Sequence, residues 1–231
     1  RARALLDAHP QLRILGLDRD VDALAVASEV EVPLMSLTLL GVVSDRQRFV
    51  IARGILREIL GRYLCLAPAD IEFAYESRGK PRLPKCASLR FNLAHSHELA
   101  LIVVAREREV GIDVEQICAA IEAQTLSAQF FAPTEVQALD ALPVTERLPA
   151  FFRCWTRKEA YIKAQGLGLA LPLESFDVSL TPGQPAILRA TRPESQDAAR
   201  WMLRSLEVDS HYAGAIAVEG ADVDFRLFSY H

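Results

Sequence analysis

Four residues in this chain have the types and spacing for chemistry on phosphate: Asp113, Glu115, Glu159 and Lys163. The segment Gly111-Ile-Asp-Val-Glu115 alternates in character like a strand. Successive strand side chains face opposite sides, so Asp113 and Glu115 project together while Ile112 and Val114 face the core. Two adjacent carboxylates repel unless a cation or a shared proton intervenes. A hard divalent cation, Mg²⁺ or alternatively Mn²⁺, takes one or two carboxylates together with phosphate oxygens and water. The plain alternative is a half-exposed strand whose polar face is acidic.

A second segment, Trp155-Thr-Arg-Lys-Glu-Ala-Tyr-Ile-Lys163, reads as helix and puts Glu159 and Lys163 four residues apart on one face. As a surface ion pair they would contribute roughly 0.2–0.5 kcal/mol. As functional groups, Glu159 would bind the metal or act as general base, and Lys163 would meet a diphosphate. Gly166 and Gly168 suit the helix C-cap and would let backbone approach a ligand closely.

Further cationic groups lie upstream. Lys80 sits in the basic turn Arg78-Gly-Lys-Pro-Arg, and His95 in a loop entering an apolar strand. Arg46, Arg48, Arg53, Arg57 and Arg62 form the basic face of a helix expected over residues 44–63. Together they offer donors for a second phosphate. Separately, the histidine reads as structural and the arginines as a solvated helix face.

The elements that must position these groups follow from periodicity. Residues 12–17 read as a strand and 21–30 as an amphipathic helix. Ser44 could cap the 44–63 helix, whose apolar stripe is Phe49, Ile51, Ile55, Ile59 and Leu60. Residues 71–75 and the run LALIVVA read as strands, 117–147 as helix interrupted at Pro133, and 149–165 as a further helix. FDVSL, ARWMLRSLEV and HYAGAIAVEG read as strands. Helix-plus-antiparallel-strand units in both halves suggest two similar lobes.

Composition narrows the classes. At 231 residues, 51% hydrophobic and 24% charged, with mean hydropathy +0.13, the chain has the profile of an ordinary globular protein. A net charge of −4 gives no pull toward nucleic acid. Cys65, Cys86, Cys118 and Cys154 are widely spaced, with no zinc or disulfide pattern, and read as buried free thiols. No apolar stretch reaches the roughly 18 residues that would span a membrane. The N-terminus shows no signal-peptide core, so a cytoplasmic location is the expectation.

Taken in order, Gly79-Lys-Pro81, Phe91-Asn-Leu-Ala-His-Ser96, Gly111-Ile-Asp-Val-Glu115 and Trp155 through Gly166 resemble the motifs of Sfp-type 4′-phosphopantetheinyl transferases. The likeness runs from about residue 45 to the C-terminus. It implies an α+β fold of two similar pseudo-twofold lobes, each a helix packed on a small, mainly antiparallel sheet. Residues 45–108 would form the N-terminal lobe, 109–231 the C-terminal lobe with the metal site, and 1–44 an atypical leading segment. It also implies coenzyme A in the cleft between the lobes. Phosphopantetheine would pass to a serine of an acyl or peptidyl carrier protein, releasing 3′,5′-ADP. By position, Asp113, Glu115 and Glu159 would hold Mg²⁺ against the diphosphate, and Lys163 would neutralise it. Lys80 and His95 would contact the coenzyme A phosphates, with Arg48 and Arg53 toward the 3′-phosphate. Glu159, or a metal water it orients, would accept the serine proton. A monomer could form the whole site.

Two departures stand out. Ala94 replaces the serine that family members often carry before the loop histidine, removing one hydroxyl contact. Residues 1–44 do not match the family's opening. Instead, 3–28 are similar to a fragment of S-adenosylmethionine-dependent rRNA methyltransferases, where Asp18 or Asp20 would bind ribose. That stretch is either a substitute first strand and helix or a junction artefact of the gene model. These departures leave a second reading, a non-catalytic relative that binds carrier protein or coenzyme A.

Overall fold

A computed structural model describes residues 31–38, 44–192, 195–221 and 223–230. The strand and helix expected over 12–30, and the methyltransferase-like stretch, lie outside the described residues. In chain order the first elements are β1 (Glu31–Thr38), α1 (Asp45–Leu64), β2 (Ala74–Tyr75), β3 (Pro81–Arg82), β4 (Leu89–Ser96) and β5 (Leu99–Arg106). There follow β6 (Val110–Gln116), α2 (Ala123–Phe130), α3 (Pro133–Asp140), α4 (Val144–Gln165), β7 (Phe176–Val178) and β8 (Leu188–Thr191). The last are β9 (Trp201–Leu206), β10 (Tyr212–Glu219) and β11 (Asp224–Tyr230). Helices and mainly antiparallel sheets make this an α+β fold.

The chain divides into two compact units, one up to Arg108 plus the residues from Val223 onward, the other from Glu109 to Asp222. In the first, a sheet of order β11-β1-β5-β4 carries α1. β5 is buried along both faces from Leu99 to Ala105, which is why its sequence is an unbroken apolar run. α1 lays Ile51, Ile55, Leu56, Ile59 and Leu60 against Phe91, Ala100, Ile102 and Val104. Each of the larger of these side chains contributes roughly 1.5–3 kcal/mol by leaving water. At its N-terminus the Gln47 side chain accepts the Ser44 backbone N–H at 3.0 Å. Phe49, expected in the apolar stripe, is instead 52% exposed beneath the Arg53 guanidinium.

β11 corrects the lobe boundary drawn from sequence. It pairs in parallel with β1, so the chain's last strand returns to the first unit and does not complete the second. Pairing between strands so far apart leaves no local pattern to read. The cysteines need a correction too: all four are free, but only Cys154 is buried.

In the second unit, α4 packs on the antiparallel sheet β6-β10-β9. Its core gathers Phe131, Phe151, Phe152, Tyr161, Phe176 and Trp201. α4 begins five residues earlier than expected, with Pro149 inside its first turns, and ends at Gly166 with φ 69°. A left-handed C-cap suits glycine because any Cβ would crowd the last carbonyl.

Candidate active site

The geometry starts from the contact of β6 with α4. A Cβ placed on Gly111 would lie 2.1 Å from the Ala160 carbonyl oxygen and 2.3 Å from the Ala164 nitrogen. Glycine therefore lets the helix backbone touch the strand. The β10 residues opposite the acidic face are also small: Ala213 pairs with Glu115, Ala215 with Asp113 and Ala217 with Gly111. Gly111→Ala meets backbone atoms that cannot rotate away. It should cost at least the ~1–3 kcal/mol of ordinary overpacking, read as a lower chemical-denaturation midpoint. An unchanged midpoint would show that this close approach is not what sets the helix position.

This closeness brings Lys163 onto Asp113. The ammonium donates to Asp113 Oδ1 at 2.5 Å. Asp113 is 3% exposed, and its Oδ2 is buried without a hydrogen-bond partner. Burial pushes the Asp113 carboxyl up to about 7; Lys163 opposes the shift, while Glu115 and Glu159 add to it. Glu159, half-buried, is raised by burial, with Lys163 lowering it and Glu115 raising it. Burial pulls Lys163 down, but Asp113, Glu159 and Glu115 outweigh that and hold it above its usual value. Lys163 therefore stays charged near neutrality, and the proton that leaves there comes from Asp113.

Three carboxylates thus act on one another across β6 and α4. Among the described residues, however, no group of three or more His, Cys, Asp and Glu side chains is arranged to hold a metal ion by itself. The donor set still suits a hard divalent cation. An orphaned, buried carboxylate oxygen lacks the partner that such atoms ordinarily have. A Mg²⁺ site commonly uses only one or two carboxylates, with substrate phosphates completing the shell.

The remaining sequence candidates lie in the first unit. Lys80 is buried in the β2–β3 turn, where its carbonyl accepts the Glu76 N–H at 3.0 Å. His95 is exposed and is not in a loop: it belongs to β4, paired with Ala100 in a hairpin whose tip holds His97 at φ 49°. Arg48 pairs with Asp45 at 3.1 Å. Arg53 donates to the Tyr75 hydroxyl at 2.5 Å and lies 4.8 Å from the Phe73 ring centroid. Arg57 ties down the following loop through the Pro68 and Ile71 carbonyls. Much of the basic face is therefore committed within the fold.

Sequence reading passed over Lys158 and Glu135. Lys158 is fully buried, pairs with Glu135 Oε2 at 2.7 Å, and donates to the Leu173 and Phe176 carbonyls. Glu135 also accepts the N–H groups of Ala132 and Val178. The pair clamps α4 to α3 and β7 one residue before Glu159. A signal existed: Lys158 falls on the apolar stripe with Phe151, Cys154, Tyr161 and Ile162.

A family model described as the 4′-phosphopantetheinyl transferase superfamily matches residues 109–217, the unit that holds the carboxylates. The 4′-phosphopantetheinyl transferase HetI of Nostoc sp. (strain PCC 7120) is 42% identical over 188 residues, 80% of this chain and 76% of its own. The 4′-phosphopantetheinyl transferase Sfp of Bacillus subtilis (strain 168) is 31% identical over 189 residues, 80% of this chain and 81% of its own. Among solved structures, a Chronobacterium ammoniagenes ACPS–CoA complex aligns at TM-score 0.38 and 20% identity, covering 48% of this chain and 95% of that one. With HetI and Sfp matched over most of their lengths, the chain belongs to the 4′-phosphopantetheinyl transferase family. Among the described residues no helix is long and apolar enough to cross a membrane.

Proposed function

We propose that this protein transfers the 4′-phosphopantetheine group of coenzyme A to a serine hydroxyl of an acyl or peptidyl carrier protein, with release of 3′,5′-ADP. The observation that carries the reading is the Asp113–Lys163 pair, with its orphaned carboxylate oxygen, set beside Glu115 and Glu159 in a family member. Asp113, Glu115 and Glu159 would hold Mg²⁺, which when bound supplies positive charge to the diphosphate. Lys163 neutralises the phosphate leaving as 3′,5′-ADP, a role its permanent charge suits. Glu159 accepts the serine proton; burial raises its basicity toward that task. The serine oxygen–phosphorus bond forms as the phosphorus–oxygen bond to the leaving group breaks. On their match to the family's motifs, Lys80 and His95 are the proposed contacts for the other coenzyme A phosphates. Arg48 and Arg53 are proposed for the 3′-phosphate, Arg53 being held by the Tyr75 hydroxyl.

The test is incubation of purified protein with coenzyme A, Mg²⁺ and an apo-carrier protein, read by intact mass. A gain of one phosphopantetheine on the carrier serine is expected. Calorimetric binding of coenzyme A with an unmodified carrier would point instead to a non-catalytic relative.

The raised Asp113 carboxyl gives two pH dependences. Metal binding needs the carboxylate ionised, so Mg²⁺ affinity measured with coenzyme A present should fall about tenfold per pH unit below about 7. In metal-free protein the folded state holds this proton more tightly than the unfolded chain, so stability should decline as pH rises from the ordinary carboxylate range to about 7. Thermal melts across that window check this, and Asp113→Asn should flatten the slope.

A further inference from the structure

We infer that the second unit carries an anion-binding cavity, built on Arg157 and Arg153, for the carboxylate or phosphate head of a small organic molecule. The cavity, about 890 Å³, lies between the first half of α4, the loop after β9 and the start of β10. It is distinct from the carboxylate site. Arg157 and Glu159 are two positions apart on a helix, which turns their side chains to nearly opposite faces. The inference does not rest on the transferase reading.

Arg157 is 2% exposed. It donates to the Ser179 carbonyl, to Ser179 Oγ at 3.0 Å and to Ser205 Oγ at 2.8 Å, while its Nε stays buried without a partner. Among the described residues no carboxylate pairs with it, and the arginines acting on it, Arg153 and Arg189, repel it. Its neighbour Lys158, at the same depth, has a full counter-ion in Glu135. An uncompensated buried charge is costly, and hydroxyls and a carbonyl answer it only in part. Arg153, half-buried in the same wall, spends one N–H on the Leu180 carbonyl at 2.7 Å. Two guanidiniums with unspent donors fit an oxyanion.

The opening narrows the class. Glu207 and Asp209 line it and are exposed, so a polyanion is repelled there. A single anionic head with a neutral or cationic remainder is favoured, resting on Pro149 and Val208. The volume falls within the roughly 300–1,000 Å³ of small-molecule sites.

The test is thermal melting of wild type, Arg157→Met and Arg153→Gln, with inorganic phosphate or acetate replacing chloride at constant ionic strength. General salting effects are common to all three proteins, so the difference isolates the site. The wild type should gain melting temperature in phosphate, and both variants should lose most of that gain. In chloride, Arg157→Met should melt no lower than wild type, because an unpaired buried charge has been removed. Equal phosphate gains in all three proteins would overturn the inference. If Arg157→Met fails to fold, an unreduced gain in Arg153→Gln overturns it equally.

Discussion

Asp113→Ala is expected to lower phosphopantetheine transfer by on the order of 10³-fold or more while leaving the protein folded. Removing one electrostatic donor from a transition state ordinarily costs about 10²–10³-fold. Asp113 does more than one donor, because it both presents the buried oxygen proposed for the metal and anchors Lys163 at 2.5 Å. Its loss therefore removes the cation and loosens the ammonium that faces the leaving phosphate. The fold should survive, since the position is flanked by Gly111 and Ala215 and the carboxylate is itself unfavourably buried. Intact-mass rates on a carrier protein, with circular dichroism melts of the same sample, measure both halves. A fully active, well-folded variant would overturn the metal assignment.

Glu135→Ala should have the largest effect on stability, about 3–5 kcal/mol, the usual cost of leaving one partner of a buried ion pair alone. Lys158 would keep its bonds to the Leu173 and Phe176 carbonyls but lose the Glu135 carboxylate that pairs with it. The N–H groups of Ala132 and Val178 would lose their acceptor as well. Replacing both partners with apolar residues, Glu135→Leu with Lys158→Met, should recover a substantial part of the loss, because no unpaired charge remains. Denaturant unfolding of the two single variants and the double variant closes the cycle. A double variant less stable than either single would show that the pair is not the source of the effect.

The two cases show what a linear sequence reveals about this fold. The acids and Lys163 were legible because strand and helix periods place them on defined faces without any knowledge of tertiary structure. Their mutual geometry was not legible. It depends on Gly111 admitting the Ala160 and Ala164 backbone to contact, a fact of packing between distant segments. Lys158 was hidden in plain sight, since a lysine on an apolar stripe gives no hint of which carboxylate will meet it. β11 escaped because a parallel pairing joins strands nearly two hundred residues apart. Arg53 and Arg57 read as a surface for phosphate because sequence does not show Tyr75, Phe73 and the Ile71 carbonyl waiting for them. His95 read as loop because the hairpin turn falls two residues later, at His97.

Since among the described residues no three acids close on a metal by themselves, phosphate oxygens are needed to complete the shell. Electron paramagnetic resonance of Mn²⁺ tests this directly, by counting free ion as protein is added with and without coenzyme A. Binding should be weak to the protein alone, at least tenfold tighter with coenzyme A, and lost in Asp113→Ala. Mn²⁺ affinity that ignores coenzyme A, or that persists unchanged in Asp113→Ala, would contradict it.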